Sequence, residues 1–286
     1  MDAIMLAMKK RGIRFFSKVK FNHTDVKRFY SKVDFIPYMR SRRMNYDNVL
    51  LMAHGSSNAI LTTTRNPNKP YNIYISETET HIFQNDFVFA ISCLTALEFG
   101  QKCIDNGAIT YLGYQVEIGP LFSSYSTSIT NLPKRVSTAL DTIIKHIFVQ
   151  SLSVAFQEFL CNPISVSALK ERFSYLVERE ISELLTLNAG QIYTKYNIKI
   201  CEQDYNNYIV ALVLRVLSHL NEISSRLVCL GEENYISHSF IDYYLKEGQT
   251  PDEILECITH NEYYKKMNST YQNIITKRIS GGENNV

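Results

Sequence analysis

A chain of 286 residues, 45% apolar and 20% charged, has the length and composition to bury a real core as one large domain or two moderate ones, and it is not a disordered polymer. The formal net charge of +2 is close to neutral, and the basic residues are scattered apart from "KKR" (9–11) and "RSRR" (40–43), so nothing favours a nucleic-acid partner. The cysteines at 93, 103, 161, 201, 229 and 257 form no CxxC pair and no cluster with histidine, which argues against a structural metal and for free thiols in a reducing cytoplasm.

The chain opens with "MDAIMLAMKKRG", whose apolar piece precedes its basic piece, the reverse of a secretory signal, and is far too short to span a bilayer. "HTDVKRFYSKV" (23–33) predicts a short helix capped by Thr24 or Asp25. The apolar run Asn48 to Ala53, bounded by His-Gly-Ser-Ser, predicts a buried strand. "NPNKPYNIYIS" (66–76) starts with turn residues and then alternates, as a hairpin or edge strand does, and "SETETHIF" opens a helix capped by Ser76 or Thr78. "DFVFAISC" (86–93) predicts a second buried strand, "LTALEFGQKCIDNGA" (94–108) a helix closing near Asn106-Gly107, and "ITYLGYQV" (109–116) a third buried strand. Apolar strands without in/out alternation, separated by helices, predict a mainly parallel sheet covered on both faces.

From about residue 133 the apolar spacing becomes helical. Val136, Leu140, Ile143 and Ile147 form one stripe, Leu169, Phe173, Leu176, Val177 and Leu184 a second, and Leu212, Val216, Leu220, Ile223 and Leu227 a third. Val213 and Leu217 widen the third stripe, Gly231 stands where its cap is expected, and Asn162-Pro163 separates the first two helices. The most apolar stretch, "YIVALVLRVLSHL" (208–220), is broken by Arg215 and His219, so no transmembrane segment is expected. The predicted organisation is an α/β domain over 1–130, a helical extension over 131–275 and a polar tail over 276–286.

Chemistry in a parallel α/β sheet gathers beyond the carboxyl ends of the strands, and two candidates stand there. His54 follows the strand ending at Ala53, and Cys93 follows the strand ending at Ser92. A cysteine opening the next helix gains thiolate character from the helix N-terminus, and a neighbouring histidine can carry the proton. Each residue also has a plain structural reading, His54 as a satisfied strand-end histidine and Cys93 as a small core hydrophobe.

"LLMAHG" followed by "FAISCLTA", then Gly107-Ala108 leading into "ITYLGY", resembles the caspase-like cysteine peptidases, most closely their CHAT branch, over about residues 45 to 118. The resemblance implies a caspase-like, mainly parallel sheet flanked by helices. It also implies peptide-bond hydrolysis through an acyl-enzyme, with Cys93 as nucleophile, His54 as acid and base, and the backbone N–H groups of Gly55 and Cys93 as oxyanion donors. No cofactor or metal is implied. The expected partners are a protein substrate and a regulatory or partner protein held by the helical region, with no nucleic acid and no membrane. A bacterial defence or regulated cell-death setting is carried from the family. The chain departs from the pattern at Ile91-Ser92, where the branch has Ser-Ala, and at Leu94, where an acidic residue is frequent.

A catalytically inactive scaffold, using the helices for assembly, is the alternative. An unrelated α/β hydrolase or transferase that merely packs Cys93 is a third reading. A serine hydrolase is excluded by the lack of a GxSxG elbow, and the nucleotide-binding glycine fingerprints are absent. Asp47, Asp86, Glu98 and Glu117 flank the strands of the pair and read as solvated charges, and His81 reads as a surface residue. Loops 61–70 and 117–128 are expected to line a specificity pocket, in which Arg65 or Lys69 would select an acidic substrate residue and Glu117 a basic one.

Overall fold

The computed structural model describes residues 3–7, 26–41, 48–62, 72–118, 134–199 and 225–281. Its strands are β1 (Ala3–Ala7), β2 (Val26–Phe29), β3 (Asn48–Met52), β4 (His54–Ser56), β5 (Ala59–Thr62), β6 (Asn72–Ser76), β7 (Phe87–Ile91), β8 (Thr110–Tyr114) and β9 (Leu227–Gly231). Six of them form the main sheet in the order β2-β1-β3-β7-β8-β9, with the first five parallel and β9 antiparallel at the edge. Every residue of β3, β7 and β8 is buried, as expected for strands covered on both faces.

Two helical layers do the covering. On one face, α1 (Lys32–Ser41), a 3-10 helix (Glu77–Phe83) and α2 (Glu98–Asp105) build an aromatic chain in which Phe35 meets Phe83, Phe83 meets Phe99, and Phe99 meets Tyr111 of β8. On the other, the 28-residue α3 (Lys134–Cys161) sets Phe159 5.0 Å from the Phe87 ring and Phe156 6.1 Å from that of Phe89. Phe87 and Phe89 share one face because side chains alternate along β7, and Val88 and Ala90 serve the opposite layer. Beyond α3 come α4 (Val166–Thr186), α5 (Ala189–Tyr196), α6 (Ser239–Lys246), α7 (Pro251–His260), α8 (Glu262–Lys266) and α9 (Ser269–Ile279). Asn162-Pro163 does separate α3 from α4. Buried side chains from both halves of the chain belong to a single hydrophobic core, and β9 completes the sheet from the C-terminal half.

Several expectations need correction. Of the helix read at 23–33, residues 23–25 with the cap candidates Thr24 and Asp25 lie outside the described residues, and 26–33 are β2 followed by the start of α1, because Val26 to Phe29 find a parallel partner in β1, a pairing that local capping signals do not reveal. Leu227 lies in β9 rather than at a helix end, and Gly231 ends that strand at φ +86. A Cβ at Gly231 would stand 2.5 Å from the Ile109 carbonyl oxygen, so close backbone approach explains this glycine. The tail from 276 is ordered through Ile279 in α9, with Ile275 and Ile279 buried and Arg278 bonding both carboxylate oxygens of Asp242. The third amphipathic stripe, apart from Leu227, lies outside the described residues.

No described helix is long and apolar enough to cross a membrane.

Candidate active site

β3 and β7 are neighbours in parallel register, with Met52 opposite Ile91 as the last pair of the ladder. His54 and Cys93 each lie two residues beyond that pair, so the sheet delivers them side by side at its carboxyl edge. The chain then diverges. Ala53 is the single residue between β3 and β4, and β4 leaves to form a small antiparallel sheet with β5 and β6, in which His54 pairs with Leu61 and Gly55 with Ile60. The hairpin-like alternation seen at 72–76 is β6, the far strand of that small sheet.

The segment after β7 is held from both sides. Toward β4, the buried Ser92 hydroxyl donates to the Ala53 carbonyl at 2.9 Å, and the Phe99 N–H donates to the Ser57 carbonyl at 2.6 Å. Toward β8, Leu94 N–H donates to the Val116 carbonyl at 3.1 Å and Ala96 N–H to that of Tyr114 at 3.0 Å. Gly55 closes the arrangement, because a Cβ there would lie 2.4 Å from the Cys93 carbonyl oxygen, 2.5 Å from Thr95 Cγ2 and 3.0 Å from Ser92 Cβ. Only glycine permits backbone contact at this distance.

Cys93 is half-buried at the margin of the core, and His54 is also half-buried. Burial holds the His54 imidazole below its ordinary pKa, so the ring is uncharged at neutral pH and able to take a proton. The helix expected from residue 94 begins only at Glu98, with residues 93–97 in turns. Leu94 sits at φ +60, a left-handed conformation that interrupts a right-handed helix and is costly for a branched side chain. Cys93 therefore stands outside the first turn of α2, where the field of the helix terminus is strongest, and the expected direct contact with that terminus is not formed.

The acidic candidates divide by position. Asp86 is fully buried rather than solvated, and it precedes β7 while Cys93 follows it. Seven residues of extended chain separate the two by ~20 Å, which removes Asp86 from this end of the sheet. Glu98 and Glu117 are exposed, as is His81. Asp47, Arg65 and Lys69 lie outside the described residues, as does loop 117–128 from 119 onward. No group of three or more His, Cys, Asp or Glu capable of holding a metal ion occurs among the described residues.

Residues that the motif did not single out also build the site. Ser92 is the polar end of an otherwise apolar buried run, and that position was its signal. Leu94 and the carbonyls of Ala53, Ser57, Tyr114 and Val116 carried none, because their part depends on backbone conformation. Fold and site together define an α/β protein whose mainly parallel, helix-flanked sheet presents a histidine and a cysteine in register at one edge. No protein-family model matches the chain, and no curated protein matches it either.

Proposed function

We propose that the chain is a cysteine endopeptidase of the caspase-like kind, nearest the CHAT branch, acting through Cys93 and His54. The observation that carries this reading is the equal registration of the two residues beyond the last β3–β7 pair, with Gly55 packed on the Cys93 carbonyl. The Cys93 thiol gives its proton to His54, and the thiolate attacks the scissile carbonyl carbon. The peptide C–N bond then breaks, the His54 proton goes to the departing amine, and a thioester remains on Cys93. Water loses a proton to His54 as it attacks the thioester. The C–S bond breaks, the carboxylic acid leaves, and the sulfur recovers a proton. Backbone N–H groups of Gly55 and Cys93 are the proposed donors to the oxyanion in both tetrahedral states.

The proposed substrate is a protein cut in the reducing cytoplasm, in the defence or cell-death setting that the resemblance implies. The helical half offers a surface for a regulator, with Tyr175, Leu185 and Tyr193 exposed on α4 and α5. The deciding experiment compares new protein N-termini by mass spectrometry in cells producing the wild-type chain, Cys93→Ala or His54→Ala, with associated proteins co-expressed. Cleavages present only with wild type support the peptidase. Identical cleavage patterns in wild type and the Cys93→Ala variant count against that reading and leave a latent enzyme awaiting its trigger, the scaffold, or an α/β enzyme that merely packs Cys93.

A further inference from the structure

The β3–β7 ladder stops at Met52 and Ile91 because Ala53 turns the chain away from the main sheet. At the next position the backbone rung is replaced by a side chain, since Ser92 Oγ donates to the Ala53 carbonyl at 2.9 Å. Ser92 is fully buried, so this bond is shielded from competing water. Ala53 is joined by one peptide bond to His54, and Ser92 by one to Cys93. The hydroxyl is thus a cross-link between the two strand ends immediately before the two side chains depart.

Resting on the reading of Cys93 and His54 as a catalytic pair, we propose that Ser92 is a positioning residue, whose hydroxyl sets the separation of imidazole and thiol by tying the end of β7 to the end of β3. Two further contacts make Ser92 the hub of the turn. Its carbonyl accepts from Thr95 Oγ1 at 3.3 Å, and its Cβ borders the space that Gly55 leaves empty. Proton transfer and nucleophilic attack depend steeply on placement, so small displacements at such a cross-link reach the chemistry directly. The assignment belongs to this chain's own residues, for the resembled pattern has alanine where Ser92 stands.

The test follows alkylation by iodoacetamide against pH in the full chain, as wild type, His54→Ala, Ser92→Ala and Ser92→Thr, with each thiol read separately by peptide mass spectrometry. The thiolate displaces iodide, so the rate reports thiolate fraction. Exposed Cys257 is the reference, and fully buried Cys103 reports opening of the core. His54→Ala and Ser92→Ala are expected to shift the Cys93 profile to higher pH, the latter by about one unit, or about tenfold in rate on the acid limb. Cys257 and Cys103 stay unchanged, and Ser92→Thr, which keeps the hydroxyl, recovers the wild-type profile. A Ser92→Ala profile superposed on wild type while His54→Ala shifts overturns the role of Ser92 and leaves the pair standing. Alkylation of Cys103 in Ser92→Ala assigns the hydroxyl to general stability and overturns it as well. A His54→Ala profile superposed on wild type removes the catalytic pair itself, and the proposal with it.

Discussion

Gly55 has no room for a side chain. A methyl group there would meet the Cys93 carbonyl oxygen at 2.4 Å and Thr95 Cγ2 at 2.5 Å, and the carbonyl is backbone that cannot rotate away. Overpacking of this kind costs about 1–3 kcal/mol, small enough for the fold to survive but large enough to push the Cys93 turn off β4. Gly55→Ala is expected to lower the unfolding free energy by that amount, read as a lower denaturant midpoint at unchanged slope, and to abolish Cys93-dependent cleavage. Retained cleavage in a folded Gly55→Ala protein would show that the close approach is not needed. Leu94 belongs with Gly55, because a branched residue in the left-handed region is tolerated only where its surroundings hold it. The bonds from Leu94 N–H and Ala96 N–H to the β8 side supply that hold.

At the scale of elements, the start of α6 shows how packing creates a pH dependence. His238, immediately before α6, is fully buried beside the Tyr235 ring. Burial first, and then the Arg278 charge, push its pKa down from 6.5 to about 3, although Asp242 pulls the other way. The unfolded chain therefore binds a proton between those values that the folded chain refuses, and stability falls as pH drops from about 6.5 toward 3. The slope approaches about 1.4 kcal/mol per pH unit for one such group. The Asp242 carboxyl, whose desolvation raises its pKa but is outweighed by lowering interactions that include the Arg278 charge, adds its loss only below about pH 4. Urea midpoints measured from pH 7 to 4 are expected to decline in wild type and to flatten in His238→Asn, and a wild-type curve flat over that range would contradict the buried neutral imidazole.

Elements also differ in how much of them the chain announces locally. The runs at 48–53, 86–92 and 109–116 were legible as buried strands because they are apolar without alternation, and Asn106-Gly107 marked the end of α2, where Gly107 adopts φ +91. The Ser76 cap was equally legible, its N–H bonding the Glu79 carboxylate at 3.1 Å. The start of α2 was not, since the turns at 93–97 are held by the carbonyls of Tyr114 and Val116 as well as by the local bond from Leu97 N–H to the Leu94 carbonyl. Of the site, His54, Gly55 and Cys93 stood out as a motif, whereas the Ser92 cross-link required knowing that Ala53 lies opposite it.

For the whole molecule, the two halves share one core. α3 lays Phe156 and Phe159 on the β7 phenylalanines, β9 closes the β8 edge over five pairs, and Asn48 at the start of β3 donates to Ser239 of α6 at 2.9 Å. A boundary at residue 130 therefore cuts through packed surface. A fragment of residues 1–130 would expose one entire sheet face and the unpaired edge of β8, and it is expected to be unfolded or aggregated. Far-ultraviolet circular dichroism and a cooperative melt of that fragment test this, and a cooperative transition would establish an autonomous N-terminal domain.

The amino-acid sequence by itself determined the buried parallel strands, a few helix boundaries such as Ser76, Asn106-Gly107 and Asn162-Pro163, and the appearance of His54 and Cys93 beyond two of those strands, because each is written in short-range apolar pattern and turn chemistry. The tertiary structure alone decided that 26–29 and 227–231 are edge strands, that Cys93 sits in a turn ahead of α2, and that Ser92 and Gly55 lock the two strand ends together. These depend on partners tens to more than a hundred residues away, and a hydrogen bond or a close approach between distant segments leaves no periodicity in either one.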